Sequence, residues 1–370
     1  MEGVGVTVFL IFVAEYSTLN SRIGELLFNC KADGWRYSMK AVRLHAPAPI
    51  ENGFLRYEGV EVPTPHDSDL LIKVRVCGIC HTDLHIVEGE LPPKKSPVIL
   101  GHQIVGEVVK IGPNVSRLKT GDRVGVPWLH WTCGTCPYCL RGQENLCENA
   151  RFTGYHVDGG YAEYTVAPEE FVYAIPALFS DINAAPLLCA GIVGFRALRL
   201  SEVRPGDRLG LYGFGASAHL GIQVARHWGC EVYVYTRSEE HRKLAVELGA
   251  VWTGRAEDRA PHPVDSAVMF APAGHLVHHA LRALRKGGTL ALAGIHMTPI
   301  PELDYRLLYE ERTIRSVANS TRQDAIDFLK VAAEIPIRVE VETFPLKEAN
   351  RALRLLKGSK IRGAGVLVVG

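Results

Sequence analysis

Residues 208–235 read RLGLYGFGASAHLGIQVARHWGCEVYVY, and they set the architecture of the second half of the chain. The apolar runs at the two ends are typical of buried strands, and the residues between them have the length and periodicity of a helix. The turn fits the pattern G-x-G-x-x-G/A: Gly213 permits a tight turn, Gly215 lets the backbone approach a pyrophosphate, and Ala218 allows close helix–strand packing. A plain glycine turn is the alternative. The strand–turn–helix context favours a dinucleotide site at the helix N-terminus.

The residues after the second strand favour NADP over NAD. An NAD site usually carries Asp or Glu about 20 residues after the motif, where the carboxylate binds the ribose 2′-hydroxyl. Here the strand is followed by Thr236, Arg237 and Ser238. These side chains can bind a 2′-phosphate, which a carboxylate would repel. The alternative is that Arg237 stacks on adenine and the cofactor is NAD.

The rest of the chain predicts an α/β protein with two lobes. From about Ala190 onward, strands alternate with helices, which is typical of a parallel, doubly wound sheet. From Met39 to about Ala190, short strands alternate with Gly/Pro turns, which predicts a β-rich lobe.

The first 38 residues are set apart from this pattern. The apolar run Val4–Ala14 is too short to span a bilayer, and no Lys or Arg precedes it, which argues against a secretory signal. A strand-like alternation then begins at Met39. We expect residues 1–38 to be an upstream extension outside the fold, such as a mis-assigned start codon would produce.

Composition excludes several classes of partner. With a net charge of +1 and 22% charged residues among 370, the chain has no basic surface for nucleic acid, and we expect no membrane partner. Its nine cysteines are too unevenly spaced for a disulfide framework. Metal ligation in a reducing compartment fits better, so we expect a cytoplasmic enzyme.

Four of the cysteines form a C-x₂-C-x₂-C-x₇-C cluster, namely Cys133, Cys136, Cys139 and Cys147. Four thiolates in a Gly/Pro-rich loop are the ligand set of a closed, structural Zn²⁺ site. A pair of disulfides is the alternative reading. The cluster predicts a loop held together by zinc, and no catalytic activity follows from it.

Cys80, His102 and Cys189 are the candidates for a second zinc, although no short motif joins them. Two sulfurs and one imidazole leave one position open, and such a zinc polarises a bound oxygen. The local sequence Cys77-Gly-Ile-Cys80 also fits a C-x₂-C redox motif, which is the alternative reading of this segment.

From Met39 to the C-terminus the chain resembles the zinc-dependent medium-chain alcohol dehydrogenases. Three segments carry the resemblance together with the cysteine cluster and the dinucleotide motif, in the family's order. They are Cys77-Gly-Ile-Cys80-His-Thr82-Asp83-Leu-His85, Gly101-His102-Gln103-Ile-Val-Gly106-Glu-Val-Val-Lys-Ile-Gly112 and Pro186-Leu-Leu-Cys189-Ala-Gly191.

The resemblance implies a fold and an activity. It implies a GroES-like β-rich catalytic domain made of residues 39–190 with 321–370, and a Rossmann domain of residues 191–320. The implied activity is the reversible oxidation of a primary or secondary alcohol by hydride transfer to NAD(P). A polyol- or threonine-type dehydrogenase on the same scaffold, and a non-catalytic cofactor-binding relative, are the alternatives.

The resemblance also assigns roles to residues. Cys80, His102 and Cys189 match the catalytic zinc ligands, and the four clustered cysteines match the structural ones. Thr82 matches the hydroxyl that takes the substrate proton, and His85 matches the outer end of the relay, reached through the cofactor ribose. Two further matches concern charge: Asp83 orients the ligand histidine, and Arg362 contacts the pyrophosphate.

Three features distinguish this chain within the family. Gln103 replaces the usual Glu after the ligand histidine, which removes a negative charge near the metal. Trp128 matches a bulky residue that lines the substrate pocket in the yeast-like branch, with ordinary core packing as the alternative, and it favours small or slim alcohols. The short stretch between Cys147 and Cys189 resembles the bacterial and yeast branch, so we expect a homotetramer.

Overall fold

A computed structural model describes residues 38–53, 55–335 and 337–370. The extension expected at residues 1–38 therefore lies outside the described residues, except for Ser38. The described strands are β1 (Ser38–Leu44), β2 (Arg56–Glu61), β3 (Asp69–Gly78), β4 (Val98–Ile99), β5 (Ile104–Ile111), β6 (Arg123–Val126), β7 (Leu129–Trp131), β8 (Arg151–Phe152), β9 (Tyr164–Pro168), β10 (Tyr173–Ala174), β11 (Arg208–Tyr212), β12 (Glu231–Tyr235), β13 (Trp252–Gly254), β14 (Val264–Met269), β15 (Leu284–Leu292), β16 (Thr313–Ser316), β17 (Val341–Pro345) and β18 (Ala364–Val368).

The described α-helices are α1 (His81–Glu88), α2 (Pro137–Leu140), α3 (Asp181–Ala184), α4 (Ala190–Leu200), α5 (Ala216–His227), α6 (Glu239–Glu247), α7 (Leu276–Ala283), α8 (Arg322–Glu334) and α9 (Ala349–Lys357). Single 3₁₀ turns lie at Ile50–Asn52, Glu144–Leu146, Glu169–Phe171, Ala185–Leu188, Tyr305–Leu307 and Leu346–Glu348.

The first lobe is built on a mainly antiparallel sheet of seven strands. The hydrogen-bonded order is β10-β6-β5-β3-β18-β17, and β9 also pairs with β3. β18 runs antiparallel to β3, with Leu367 opposite Cys77, so the end of the chain returns to the lobe in which it began. A three-stranded sheet, β2-β1-β4, and a short β7-β8 arm complete the lobe.

The second lobe is a six-stranded, fully parallel sheet in the order β13-β12-β11-β14-β15-β16. In chain order this is 3-2-1-4-5-6, the order of the dinucleotide-binding Rossmann fold. The switch point lies between β11 and β14, at the carboxyl end of β11 where the glycine turn begins. The predicted α/β fold with a doubly wound parallel sheet is confirmed.

The strand predicted at Thr289–Ala293 starts earlier than the sequence indicated. β15 begins at Leu284, directly after α7, and its register against β14 shifts between Val264 and Ser266. The intervening Lys-Gly-Gly stretch has the composition of a turn, but here it belongs to an irregular, bulged part of the strand.

One stretch of the described chain, Asp181–Leu200, is long and apolar enough to cross a membrane by length and composition. Two thirds of it are buried inside the protein. Leu187, Ile192 and Leu198 are among its residues in the largest apolar cluster, which both lobes share. We interpret the stretch, which comprises α3, a 3₁₀ turn and α4, as a buried core segment.

Candidate active site

The four-cysteine cluster lies between the two strands of the β7-β8 arm. All four sulfur atoms lie within 4.8 Å of one another, with Cys133 Sγ 3.9 Å from Cys139 Sγ and 3.5 Å from Cys147 Sγ. Zn–S bonds of about 2.3 Å would separate tetrahedral sulfurs by about 3.8 Å. The backbone N–H groups of Thr135 and Cys136 point at Cys133 and lower the pKa of its thiol to about 6, which favours the thiolate that zinc binds. No described cysteine forms a disulfide.

Cys80, His102 and Cys189 converge from three distant segments. Cys80 is the N-cap of α1, His102 lies in the link between β4 and β5, and Cys189 directly precedes α4. The two sulfur atoms are 4.0 Å apart, and an imidazole nitrogen of His102 lies within 4.8 Å of both. Three ligands at this spacing leave one position of a tetrahedral metal open.

A fully buried carboxylate supports this group from behind. Asp83 accepts hydrogen bonds from Cys80 N at 2.9 Å, Gly101 N at 3.1 Å and the Tyr161 hydroxyl at 3.1 Å. Its Oδ1 also lies 3.4 Å from His102 Nδ1. One side chain therefore fixes the start of α1 and the ligand histidine together.

The electrostatics of the three-residue group favour a cation. The Cys189 thiol and the His102 imidazole next to Cys80 hold the pKa of that thiol well below its usual range. Burial alone would lower the pKa of His102, but the Asp83 carboxylate and the Cys80 sulfur raise it to about 10. Both ring nitrogens of His102 are buried and neither forms a hydrogen bond of good geometry among the described residues, since Nδ1 has only its 3.4 Å contact with Asp83. A zinc ion would balance the Cys80 thiolate and bind one imidazole nitrogen, so the residues fit the metal.

A hydroxyl and an aromatic wall lie beside the three residues. Thr82 is buried, with its Oγ1 3.6 Å from Cys80 Sγ. Trp128 meets the His102 ring edge-on, with ring centroids 4.7 Å apart, and stacks on Phe152 and Tyr155. Phe152 and Tyr155 were not identified from the sequence. Their only signal in the sequence is that they are aromatic and follow closely after Cys147, the fourth cysteine of the cluster.

Gln103 is buried behind the metal-ligand loop. Its side-chain amide donates to the Ile79 carbonyl at 3.3 Å. An ionised Glu could not donate this hydrogen bond. The Gln at position 103, where the family usually has Glu, therefore makes a contact that only the amide allows.

His85 lies on the same helix as Thr82, and its surroundings were not predicted. Its Nδ1 is 2.5 Å from Glu90 Oε2, and its ring centroid is 5.3 Å from that of His296. His296 follows β15 in the second lobe, so the contact bridges the two lobes. Neither partner carries a sequence signal that would have paired it with His85.

The glycine turn after β11 is tight and leaves open space beside the backbone. Gly213 has φ +87°, and a Cβ there would lie 2.9 Å from the backbone nitrogen of Ala271. Gly215 is the N-cap of α5, and a Cβ at that position would meet no atom within 4 Å, so the loop leaves room for a phosphate group. Ala218 is fully buried against the sheet.

The three residues predicted to bind the adenosine end of the cofactor differ in their burial and in their contacts within the protein. Thr236 is buried and its backbone N–H donates to Gly254 O. Ser238 caps α6 by accepting from His241 N at 3.2 Å. Arg237 is exposed and forms no ion pair with any described residue.

Arg362 is engaged with two carboxylates. Its Nη2 lies 2.9 Å from Glu247 Oε2 at the end of α6, and its Nε lies 3.5 Å from Glu340 Oε2. The guanidinium thus contacts the dinucleotide-binding lobe, and a phosphate would compete with these two acids for it.

Comparisons with known proteins agree with this architecture. Residues 66–177 match the family described as "Alcohol dehydrogenase GroES-like domain", and residues 218–334 match "Zinc-binding dehydrogenase". The probable alcohol dehydrogenase AdhA of Mycobacterium tuberculosis is 49% identical over 90% of this chain and 98% of that protein. An alcohol dehydrogenase of Geobacillus stearothermophilus is 38% identical over 86% of this chain and 98% of that protein. Among solved structures, the cinnamyl alcohol dehydrogenase SbCAD4 of Sorghum bicolor superposes with a TM-score of 0.83 at 28% identity, covering 90% of this chain and 97% of that one.

A Rossmann sheet joined to a β-rich lobe that brings Cys, His and Cys together defines a metal-dependent dehydrogenase. The chain belongs to the zinc-dependent medium-chain alcohol dehydrogenases. Its activity is the interconversion of an alcohol and its aldehyde or ketone by hydride transfer to or from NAD(P). The alternative dehydrogenase classes and the non-catalytic reading are not favoured by these matches.

Zinc affinity at Cys80, His102 and Cys189 should rise with pH between 6 and 9. With a pKa of about 10, His102 carries a proton in the metal-free protein at neutral pH, and that proton must leave before the imidazole can bind zinc. Each required deprotonation weakens the apparent affinity about tenfold per pH unit below the pKa. Chelator competition on metal-stripped enzyme measures this slope. His102→Gln should lower the slope by one proton, and an affinity independent of pH would contradict the expectation.

Proposed function

We propose that each chain holds two zinc ions, one catalytic at Cys80, His102 and Cys189 and one structural at the four clustered cysteines. The observation that carries the proposal is the convergence of the three catalytic ligands with Asp83 directly behind His102. A bound catalytic zinc would act as a Lewis acid toward the alcohol oxygen. The four-cysteine site offers no open position and would hold its loop in place.

The proton chemistry is assigned to residues of α1. Thr82 places a hydroxyl beside Cys80 and takes the substrate proton, and His85 is the base at the outer end of the proton path. Asp83 orients the imidazole of His102, as carboxylates commonly do behind metal-bound histidines.

The cofactor is proposed to bind along the carboxyl end of the parallel sheet. Gly213, Gly215 and Ala218 shape the loop for the pyrophosphate, with α5 supplying N–H groups. Arg237, which is exposed and has no ion pair among the described residues, is a cation at the adenosine end and supports a preference for NADP. Arg362 is proposed to reach the pyrophosphate by giving up its bonds to Glu247 and Glu340.

Further proposed assignments concern the substrate pocket, the domain division, the assembly of the chains and their location. Trp128, whose ring meets that of His102 edge-on, restricts the substrate pocket to small or slim alcohols. The domain division is 39–190 with 321–370 and 191–320, supported by the return of β18 to β3. We further propose a homotetramer, on the resemblance of the short segment between Cys147 and Cys189 to the bacterial and yeast branch. A cytoplasmic location is proposed because the cysteines suit metal ligation in a reducing compartment.

Thr82→Val should lower kcat for alcohol oxidation by a factor of about 10²–10⁴, the usual contribution of a positioned proton-transfer group. Valine keeps the shape of threonine but has no hydroxyl to accept the substrate proton. Thr82→Ser, which keeps the hydroxyl, is the matched control and should retain most activity. Zinc content and thermal unfolding should be unchanged in both variants. Normal turnover in Thr82→Val would remove Thr82 from the mechanism.

Arg237→Ala should raise the KM for NADP about 10- to 100-fold, the loss expected for a hydrogen-bonded charged group, and leave the KM for NAD nearly unchanged. Initial rates with each cofactor, using one short aliphatic and one aromatic alcohol, measure both effects. Arg208→Ala is the control, because Arg208 begins β11 and therefore lies at the opposite edge of the parallel sheet from Arg237. Equal losses with both cofactors would show that Arg237 stacks on adenine and does not select the 2′-phosphate.

A further inference from the structure

His85 is nearly enclosed, whereas its hydrogen-bond partner is open to solvent. The His85 side chain is 11% exposed and the Glu90 side chain is 44% exposed. The two meet at 2.5 Å through Nδ1 and Oε2. An enclosed base needs a route by which its proton reaches bulk water. Glu90 is hydrogen-bonded to His85 and is itself accessible to water, so it can provide that route.

The local backbone holds Glu90 in this position. α1 ends at Gly89, which has φ +80° in the left-handed region, and the chain reverses over the last turn of the helix. Leu91 N then donates to His85 O at 3.0 Å. Glu90 is held between these two anchors and faces the imidazole.

This contact selects a tautomer. An ionised carboxylate only accepts hydrogen bonds, so Nδ1 must carry the proton and Nε2 of the neutral ring keeps its lone pair. The hydrogen bond from His85 lowers the pKa of Glu90, which keeps the carboxylate ionised. The other charged or titratable groups around this pair are His81 on α1, His296 from the second lobe and Lys357 on α9.

We propose that Glu90 is a positioning residue for His85 and the carboxylate through which the substrate-derived proton leaves for water. The proposal rests on the role assigned to His85 in the proposed function. When His85 accepts a proton at Nε2, the Nδ1–H bond breaks and an O–H bond forms on Glu90. That O–H bond then breaks and water receives one proton. The ring is then left with its proton on Nε2. Once product and cofactor have left, water in the cleft takes the Nε2 proton and Glu90 returns a proton from water to Nδ1, which restores the starting tautomer. Carbonyl reduction uses the same steps in reverse.

The decisive variant is Glu90→Gln, which keeps the shape of the side chain but can neither balance an imidazolium nor pass on a proton. Glu88→Gln is the matched control, because Glu88 lies two residues away and pairs with Lys357 Nζ at 2.7 Å. We expect kcat for alcohol oxidation to fall about tenfold near pH 7 in Glu90→Gln, with KM within about twofold. Glu88→Gln should behave as the unaltered enzyme.

The pH profile separates this role from a merely structural one. The deficit of Glu90→Gln should shrink toward pH 9.5, or when imidazole is added near pH 7, because a dissolved base then takes the proton directly. Glu90→Asp should recover part of the rate at pH 7. A structural defect would be rescued neither by alkaline pH nor by added base.

A second readout needs no turnover. In zinc-loaded, cofactor-free enzyme labelled with ¹⁵N-histidine, the Nδ1 proton of His85 should resonate far downfield, as expected for a short bond to a carboxylate. This resonance should move upfield in Glu90→Gln and stay in place in Glu88→Gln. An unchanged resonance together with an unchanged pH profile in Glu90→Gln overturns the proposal.

His85→Gln distinguishes this failure from failure of the proposed function. If His85→Gln is impaired while Glu90→Gln matches its control, the role of Glu90 is wrong and that of His85 stands. If His85→Gln itself turns over normally, the proton path in the proposed function is wrong, and the role of Glu90 falls with it.

Discussion

Asp83 places a carboxylate where no solvent reaches it, and groups from three segments of the first lobe converge on that charge. The backbone N–H groups of Cys80 and Gly101, the Tyr161 hydroxyl and the imidazole of His102 all lie within 3.4 Å of its oxygens. A buried carboxylate is costly unless its hydrogen bonds are satisfied, so this network has little freedom to rearrange. The positions of two proposed metal ligands, Cys80 and His102, depend on it, and so does the start of the helix that carries Thr82 and His85.

The two cysteine-containing groups of the first lobe differ in their number of ligands, and each number suits a different task. The four-cysteine group has a complete tetrahedral set on a partly exposed arm, which suits a structural ion. The group at Cys80, His102 and Cys189 has three ligands, of which His102 is fully buried, next to a hydroxyl and the aromatic wall formed by Trp128. Only the second arrangement leaves a metal position for substrate.

Local patterns were enough to predict the parallel sheet, because the strand–helix alternation and the glycine turn at Gly213 are encoded within some 30 consecutive residues. They could not assemble the catalytic group, since Cys80 and Cys189 are 109 positions apart and share no motif; only the family resemblance placed them together. The contact between His85 and His296 escaped prediction altogether. It depends on how the loop that carries His296 in one lobe packs against the helix that carries His85 in the other. The periodicity of a sequence gives no information about such packing between lobes. The bulged start of β15 was missed because its Lys-Gly-Gly stretch has turn composition.

In the two-zinc arrangement, one chain carries a closed zinc site and an open one. Anomalous diffraction at the zinc edge, on crystals of the enzyme with its native metal content, distinguishes the two sites. We expect two peaks per chain, one among the four clustered cysteines and one bounded by Cys80, His102 and Cys189, with a matching content of two zinc ions in active enzyme. A single peak at the four-cysteine site in fully active enzyme would contradict it.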